Sequence, residues 1–66
     1  MCLSKVYLEK GDQKEMIMEE VAEVEAEDNG FRLISLMGEE KFLKGRVKRI
    51  DFIAEHSLVI ESQEGG

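Results

Sequence analysis

The chain has 66 residues, of which 42% are hydrophobic and 36% are charged, and its net charge is −6. This composition excludes a disordered segment, the short apolar runs exclude a membrane-spanning helix, and the acidic balance disfavours nucleic acid as a partner. A domain this small buries only about 60% of the surface of its unfolded chain, so we expect a metal or a partner subunit to support it.

The four turn-forming segments in the chain predict five short elements. They lie at residues 10–12, 28–30, 37–39 and 54–56, and Asn29-Gly30 is a strong hairpin signal. In chain order, strands are predicted at residues 2–9, 14–27, 31–37, 47–53 and 57–61. We expect one barrel domain over residues 1–62 and a flexible tail over residues 63–66.

The second element is ambiguous between helix and strand. Ile17, Val21 and Val24 have helical spacing, but residues 22–27 also alternate between apolar and acidic side chains up to the hairpin signal. We favour a strand with a bulge near Glu19 and Glu20, where the alternation changes phase.

Five short strands in so few residues predict an all-β fold. The expected architecture is a five-stranded antiparallel barrel, SH3-like or OB-like, because closure removes exposed strand edges. An edge that stays open could pair with a second copy, which would give a homodimer.

The motifs of the common enzyme classes are missing from the sequence. It has no Cys-x-x-Cys, no glycine-rich phosphate loop and no Gly-x-Ser-x-Gly. Nucleophilic catalysis would require Cys2 and His56, the single cysteine and the single histidine, to meet. We therefore predict that the chain is not an enzyme.

Charge is unevenly distributed along the chain. Residues 9–28 hold nine acids and two bases, whereas residues 41–49 hold five bases and no acid. The simpler interpretation is a solvated strand face that balances an acidic neighbour. The alternative is a small RNA-binding barrel whose basic strip comprises Lys41, Lys44, Arg46, Lys48 and Arg49.

Cys2 is the strongest candidate for chemistry because it is the second residue. If Met1 is removed, the α-amine and thiol of Cys2 form a five-membered chelate. If Met1 is retained, its amine, the Cys2 amide nitrogen and the Cys2 sulfur can bind side by side. Nitrogen and thiolate donors suit Ni(II) or Cu(II) and serve Mg(II) or Ca(II) poorly.

One amino terminus offers two or three donors, and two termini at a dimer axis would offer four to six. His56 could add an imidazole ligand only if the fold brings it near Cys2. The thioethers of Met16, Met18 and Met37 are soft donors too, but we expect them to fill the core.

The opening residues 1–8, Met-Cys-Leu-Ser-Lys-Val-Tyr-Leu, resemble those of the CooT family of accessory proteins associated with nickel insertion into carbon monoxide dehydrogenase. The similarity extends to residues 24–27, 31–37, 45–47 and 58–61. It implies a HypC-like, SH3-like barrel that forms a homodimer and binds Ni(II) through the cysteine matching Cys2.

The related HypC proteins also begin Met-Cys-Leu, but a proline normally follows and a histidine-bearing motif lies later. Neither feature is present here, so the resemblance favours CooT and carries no histidine ligand across. A nickel enzyme or its maturation factors are the implied partners. Because the first residues also lack the order of a signal peptide, we expect a cytoplasmic protein.

Overall fold

Five β-strands and their connecting turns make up the part of the chain that the computed structural model describes, residues 4–63. The strands are β1 Ser4–Lys10, β2 Gln13–Glu27, β3 Gly30–Ser35, β4 Glu40–Asp51 and β5 Ser57–Ser62. The all-β prediction is confirmed, and a turn lies at each predicted position. No helix that could cross a membrane occurs within these 60 residues.

The strands form a closed barrel in chain order. Each strand pairs antiparallel with the next, as predicted. The barrel closes through a parallel pairing of β1 with β5, from Lys5 opposite Ser57 to Glu9 opposite Glu61. This follows from the odd strand number, since alternating directions give the first and fifth strands the same direction.

β2 is one bent strand of 15 residues, which confirms strand over helix. Its register against β1 and β3 shifts on either side of Glu20. Glu20 has a φ of 54°, a left-handed conformation that side chains other than glycine rarely adopt. The predicted bulge at Glu19 and Glu20 is therefore present, and it bends β2 from its pairing with β1 towards its pairing with β3.

β4 begins earlier and ends earlier than the sequence predicts, at Glu40–Asp51 instead of residues 47–53. The bases of residues 41–49 obscure its apolar alternation, so its first half was not recognised. Phe52 and Ile53 lie instead in the β4–β5 turn, because the Asp51 carboxylate accepts hydrogen bonds from backbone amides of that turn.

Gly45 marks the point where β4 changes neighbours. Residues up to Lys44 pair with β3, and residues from Gly45 onward pair with β5. Gly45 has a φ of 154°, and a Cβ there would overlap the carbonyl oxygen of Glu61 and lie 2.9 Å from a methyl group of Ile60. Only glycine fits this bend, so Gly45 allows one strand to serve two sides of the barrel.

The core is small and aliphatic. Its buried hydrophobic side chains are Val6, Met18, Val21, Leu33, Leu58, Val59 and Ile60. Phe42 and Phe52 are exposed, and Tyr7 and Phe31 are half-buried. The partly buried Leu8, Ile17, Phe31 and Leu43 pack against this cluster, so every strand contributes to the core.

β5 ends at Ser62, and the domain over residues 1–62 remains a prediction. Residues 64–66 lie outside the described part of the chain. The flexible tail over residues 63–66 therefore remains a prediction.

Candidate metal centre

The beginning of β1 and the turn before β5 meet at one end of the barrel. The Lys5 amide donates a hydrogen bond of 3.1 Å to the carbonyl oxygen of His56. The parallel pairing of β1 with β5 starts at the same place. The predicted ligands Met1 and Cys2 precede Ser4 and lie outside the described residues.

Asp51 organises the β4–β5 turn at this end. Its Oδ1 atom accepts hydrogen bonds from the amides of Ala54, at 2.8 Å, and Ile53, at 2.9 Å. These bonds favour the carboxylate and lower the pKa of Asp51 below its usual value. The turn that carries His56 is thereby held by the last residue of β4.

His56 is half-buried and has a φ of 52°, in the left-handed region. The sequence left open whether the fold brings it near the start of the chain. The fold places it against Lys5, and its side chain lines the same cavity as Ser4.

An apolar cleft of 360 Å³ opens beside these residues, and we call it the groove. One wall is formed by β2 and β3 and includes Val24 and Phe31. The opposite wall belongs to the second half of β4 and the turn after it, with Val47, Ile50 and Phe52. The sequence did not predict the groove. Its apolar residues could be assigned to strands, but not which strands would face each other.

The groove is open because its two walls have pairing on one side only. Beyond Val21, β2 pairs with β3 and with no other described strand. Beyond Gly45, β4 pairs only with β5 among residues 4–63. Barrel closure thus leaves two short strand edges facing each other across an apolar cleft.

The described residues 4–63 contain no group of three or more His, Cys, Asp or Glu side chains placed to hold a metal ion. Of the three methionines within residues 4–63, Met18 is buried in the core, as expected. Met16 and Met37 are exposed, so the expectation of core filling is wrong for them. Met16 is separated from Met18 by a register shift in the β1–β2 pairing, and Met37 lies in the turn after β3.

A comparison with known protein families identifies the family of this chain. The family model described as the CO dehydrogenase accessory protein CooT matches residues 1–61. The chain belongs to the CooT family. This confirms the family predicted from the opening residues. CooT proteins are accessory proteins of CO dehydrogenase and are not enzymes themselves.

Two individual proteins extend this comparison. A protein of uncharacterised function from Methanothermobacter thermautotrophicus is 33% identical over 64 residues, which cover 97% of this CooT-family chain and 94% of that protein. A crystal structure of a protein assigned as CooT from Carboxydothermus hydrogenoformans superposes with a TM-score of 0.83 at 24% identity. It covers 96% of this chain and all of that one, and it supports the fold.

The basic strip of this CooT-family chain lies along β4. Lys48 forms an ion pair with Glu9 of β1, and the Lys41 Nζ atom lies 3.4 Å from the carbonyl oxygen of Ile17. Arg49 lies 3.9 Å from Glu55. These contacts fit the simpler interpretation, a solvated strand face whose bases meet nearby acids.

Proposed function

We propose that this CooT-family chain is a nickel-binding accessory protein, a chaperone or store that supports maturation of a nickel enzyme such as CO dehydrogenase. It binds Ni(II) through Cys2 and Met1 at a homodimer interface in the cytoplasm. The observation that carries the proposal is the family match, which includes Met1 and Cys2. Lys5, at the start of β1, is hydrogen-bonded to the β4–β5 turn.

The donor set fits Ni(II) by its chemistry. In Cys2 the nitrogen is bonded to Cα and the sulfur to the neighbouring Cβ, so the two donors close a five-membered chelate ring on a metal ion. Nitrogen and thiolate donors in one plane favour Ni(II). The α-amine titrates near about 8 and the thiol near about 8.5, so nickel must displace protons from both at neutral pH. Binding should therefore strengthen as the pH rises.

A dimer completes the coordination. One amino terminus supplies two or three donors, and the same atoms of a second copy bring the total to four to six. A site on a two-fold axis is self-consistent, because identical patches face each other. Nickel bound there would also stabilise the dimer and the fold by mass action.

The direct test is a titration of NiCl₂ into the metal-free protein and into Cys2→Ala, with the thiolate-to-nickel charge-transfer absorption as the signal. We expect the band to saturate in the wild type and to be absent in the variant. Equal bands in both proteins would defeat the proposal.

Two controls sharpen the titration. Met16→Leu removes an exposed thioether and should leave the band unchanged. A peptide extension on the amino terminus converts the α-amine to an amide, and it should abolish the charge-transfer band. His56→Asn then separates two donor sets: a preserved band assigns all ligands to the terminus, and a lost band adds the imidazole.

A further inference from the structure

One strand edge of this barrel is exposed over six consecutive residues, 22–27 of β2, which we call the β2 edge. The pairing of β2 with β1 ends where Val21 lies opposite Ser4. From there to Glu27, β2 pairs with β3 and with no other described strand. The backbone amides and carbonyls on the unpaired side of such a strand can bond to an added strand.

The other open edge, on β4, is protected against pairing, and the β2 edge is not. Residues 46–50 of β4 contain three bases, and the pairing of β4 with β5 shifts in register between Val47 and Arg49. Bases and bulges commonly block the pairing of an edge strand with another chain. The β2 edge has no base and no proline, and its register against β3 is regular from Glu23 onward. It is therefore the edge suited to receive another strand.

The two faces of the β2 edge differ in character. Val24 lies opposite Leu33, which is fully buried, and Val24 lines the groove. Glu23 and Glu25 are the neighbours of Val24 along the strand, so they lie on the outer face. A strand added beside β2 must alternate in the same way, with every second side chain on the groove side and the others outside.

The outer face beside the β2 edge is acidic. Glu23 and Glu25 form no ion pair with any described residue. Arg32, the base opposite Glu25 on β3, forms its ion pairs with Glu27 and Glu40 instead. An added strand gains favourable cross-strand pairs from lysine or arginine at its outward positions, and acidic residues there would be repelled.

The groove suits the other side chains of such a strand. Its apolar lining includes the exposed Val47, Ile50 and Phe52. The charged residues of its lining are acids, Glu23 and Asp51. Its volume of 360 Å³ is at the small end of the range for binding pockets, about 300–1,000 Å³. It can therefore hold a few aliphatic side chains.

We propose that the β2 edge is the docking site for an extended segment of a partner protein. The segment adds as a further strand, with aliphatic side chains in the groove and lysine or arginine side chains against Glu23 and Glu25. The role of the family as an accessory protein of CO dehydrogenase is consistent with such a contact. The inference goes beyond nickel binding and does not depend on it, because none of these residues is a proposed ligand.

The test uses the metal-free protein and a synthetic hexapeptide with capped ends, in which lysine and valine alternate. NMR titration gives its affinity, and amide hydrogen exchange locates its site. We expect the amides of the β2 edge that are not bonded to β3 to exchange about tenfold more slowly, or slower still, in the saturated complex. A peptide with N-methylated amides keeps the charge but cannot donate the hydrogen bonds of a strand, so it should not bind.

Charge reversal on β2 is the second arm of the experiment. Glu25→Lys should weaken binding of the peptide about fivefold, since a cross-strand charge pair is replaced by repulsion. Glu15→Lys is the matched control, because Glu15 is an exposed residue of the same strand that pairs with Leu8 of β1. It makes the same change in net charge and should leave the affinity unchanged.

Four results would overturn the inference. Equal binding of the N-methylated peptide excludes strand addition, and equal weakening by Glu15→Lys and Glu25→Lys reduces the contact to net charge. Edge amides already protected in the free protein, or a peptide that splits a dimer in sedimentation equilibrium, assign the β2 edge to this chain itself. The same titration of Cys2→Ser separates this inference from the nickel proposal, since binding that persists there supports the docking site without nickel.

Discussion

The amide of Lys5 donates its hydrogen bond to the carbonyl oxygen of His56, so the first strand is fastened to the turn that precedes the last one. His56 accepts this bond from a left-handed backbone conformation. The parallel closure of the barrel begins at this contact.

The left-handed conformation of His56 predicts the effect of a glycine there. The left-handed conformation destabilises the folded state by about 1–2 kcal/mol for a residue other than glycine. Glycine avoids this strain but gives up about half of that gain, because it has more conformational freedom in the unfolded chain. We expect His56→Gly to stabilise the protein by roughly 0.5–1 kcal/mol, measured by urea unfolding. His56→Ala keeps the strain and should give no gain. A glycine variant no more stable than the alanine variant would contradict the prediction.

Gly45 predicts the opposite response. Gly45→Ala adds a Cβ that overlaps the carbonyl oxygen of Glu61, so β4 and β5 must separate at the bend. We expect a loss of about 2–4 kcal/mol in the free energy of unfolding.

Gly11→Ala is the matched control for this loss. Gly11 has a φ of 54°, but no atom lies within 4 Å of a Cβ there, so its cost is conformational only, about 1 kcal/mol. Equal losses at the two positions would show that the close approach at Gly45 is not what requires glycine.

The Asp51 carboxylate predicts a pH dependence of stability. Its folded pKa is lowered, first by the Ala54 amide and then by the Ile53 amide. The stabilisation is therefore present above the unfolded pKa, for which 3.8 is the usual value, and is lost as the pH falls through the folded pKa.

Asp51→Asn is the variant that tests this dependence. The asparagine keeps an oxygen acceptor for the turn but does not titrate. Below a pH of about 4, the free energy of unfolding measured with urea should therefore fall less steeply with acid in the variant than in the wild type. Identical pH profiles for the two proteins would refute the role assigned to this carboxylate.

The pair formed by Lys48 and Glu9 predicts a local titration shift. The hydrogen bond from Lys48 lowers the pKa of Glu9 below 4.5, and the same bond raises the pKa of Lys48. Lys48→Met should return the Glu9 pKa towards its usual value, as read from the side-chain carboxyl signal by NMR. Lys44→Met, which removes a lysine of the same strand, should leave the lowered pKa of Glu9 unchanged. An unchanged Glu9 pKa in Lys48→Met would exclude the pair in solution.

Several parts of this fold could be predicted from local sequence alone. Asn29-Gly30 correctly predicted where the β2–β3 hairpin lies, although its two turn residues are Asp28 and Asn29 and Gly30 already pairs with Glu27. The loss of alternation at Glu19 and Glu20 correctly located the bulge. Both are short-range signals, because turn chemistry and strand phase depend on neighbouring residues.

The features that the sequence did not predict depend on long-range pairing. The full extent of β4 was missed because its first half is paired to β3 and its second half to β5, while its charges conceal both. The groove arises only when those halves diverge at Gly45. The position of His56 beside Lys5 follows from the parallel closure, which joins residues far apart in the chain.

The central claim concerns a sulfur and a nitrogen at the chain terminus, and native mass spectrometry of the protein titrated with NiCl₂ tests it most directly. It reports the oligomeric state, the number of nickel ions and the presence of Met1 in one spectrum. We predict nickel on dimers of the wild type and none on Cys2→Ser at the same nickel concentration. Nickel retained equally by the Cys2→Ser protein would contradict the account.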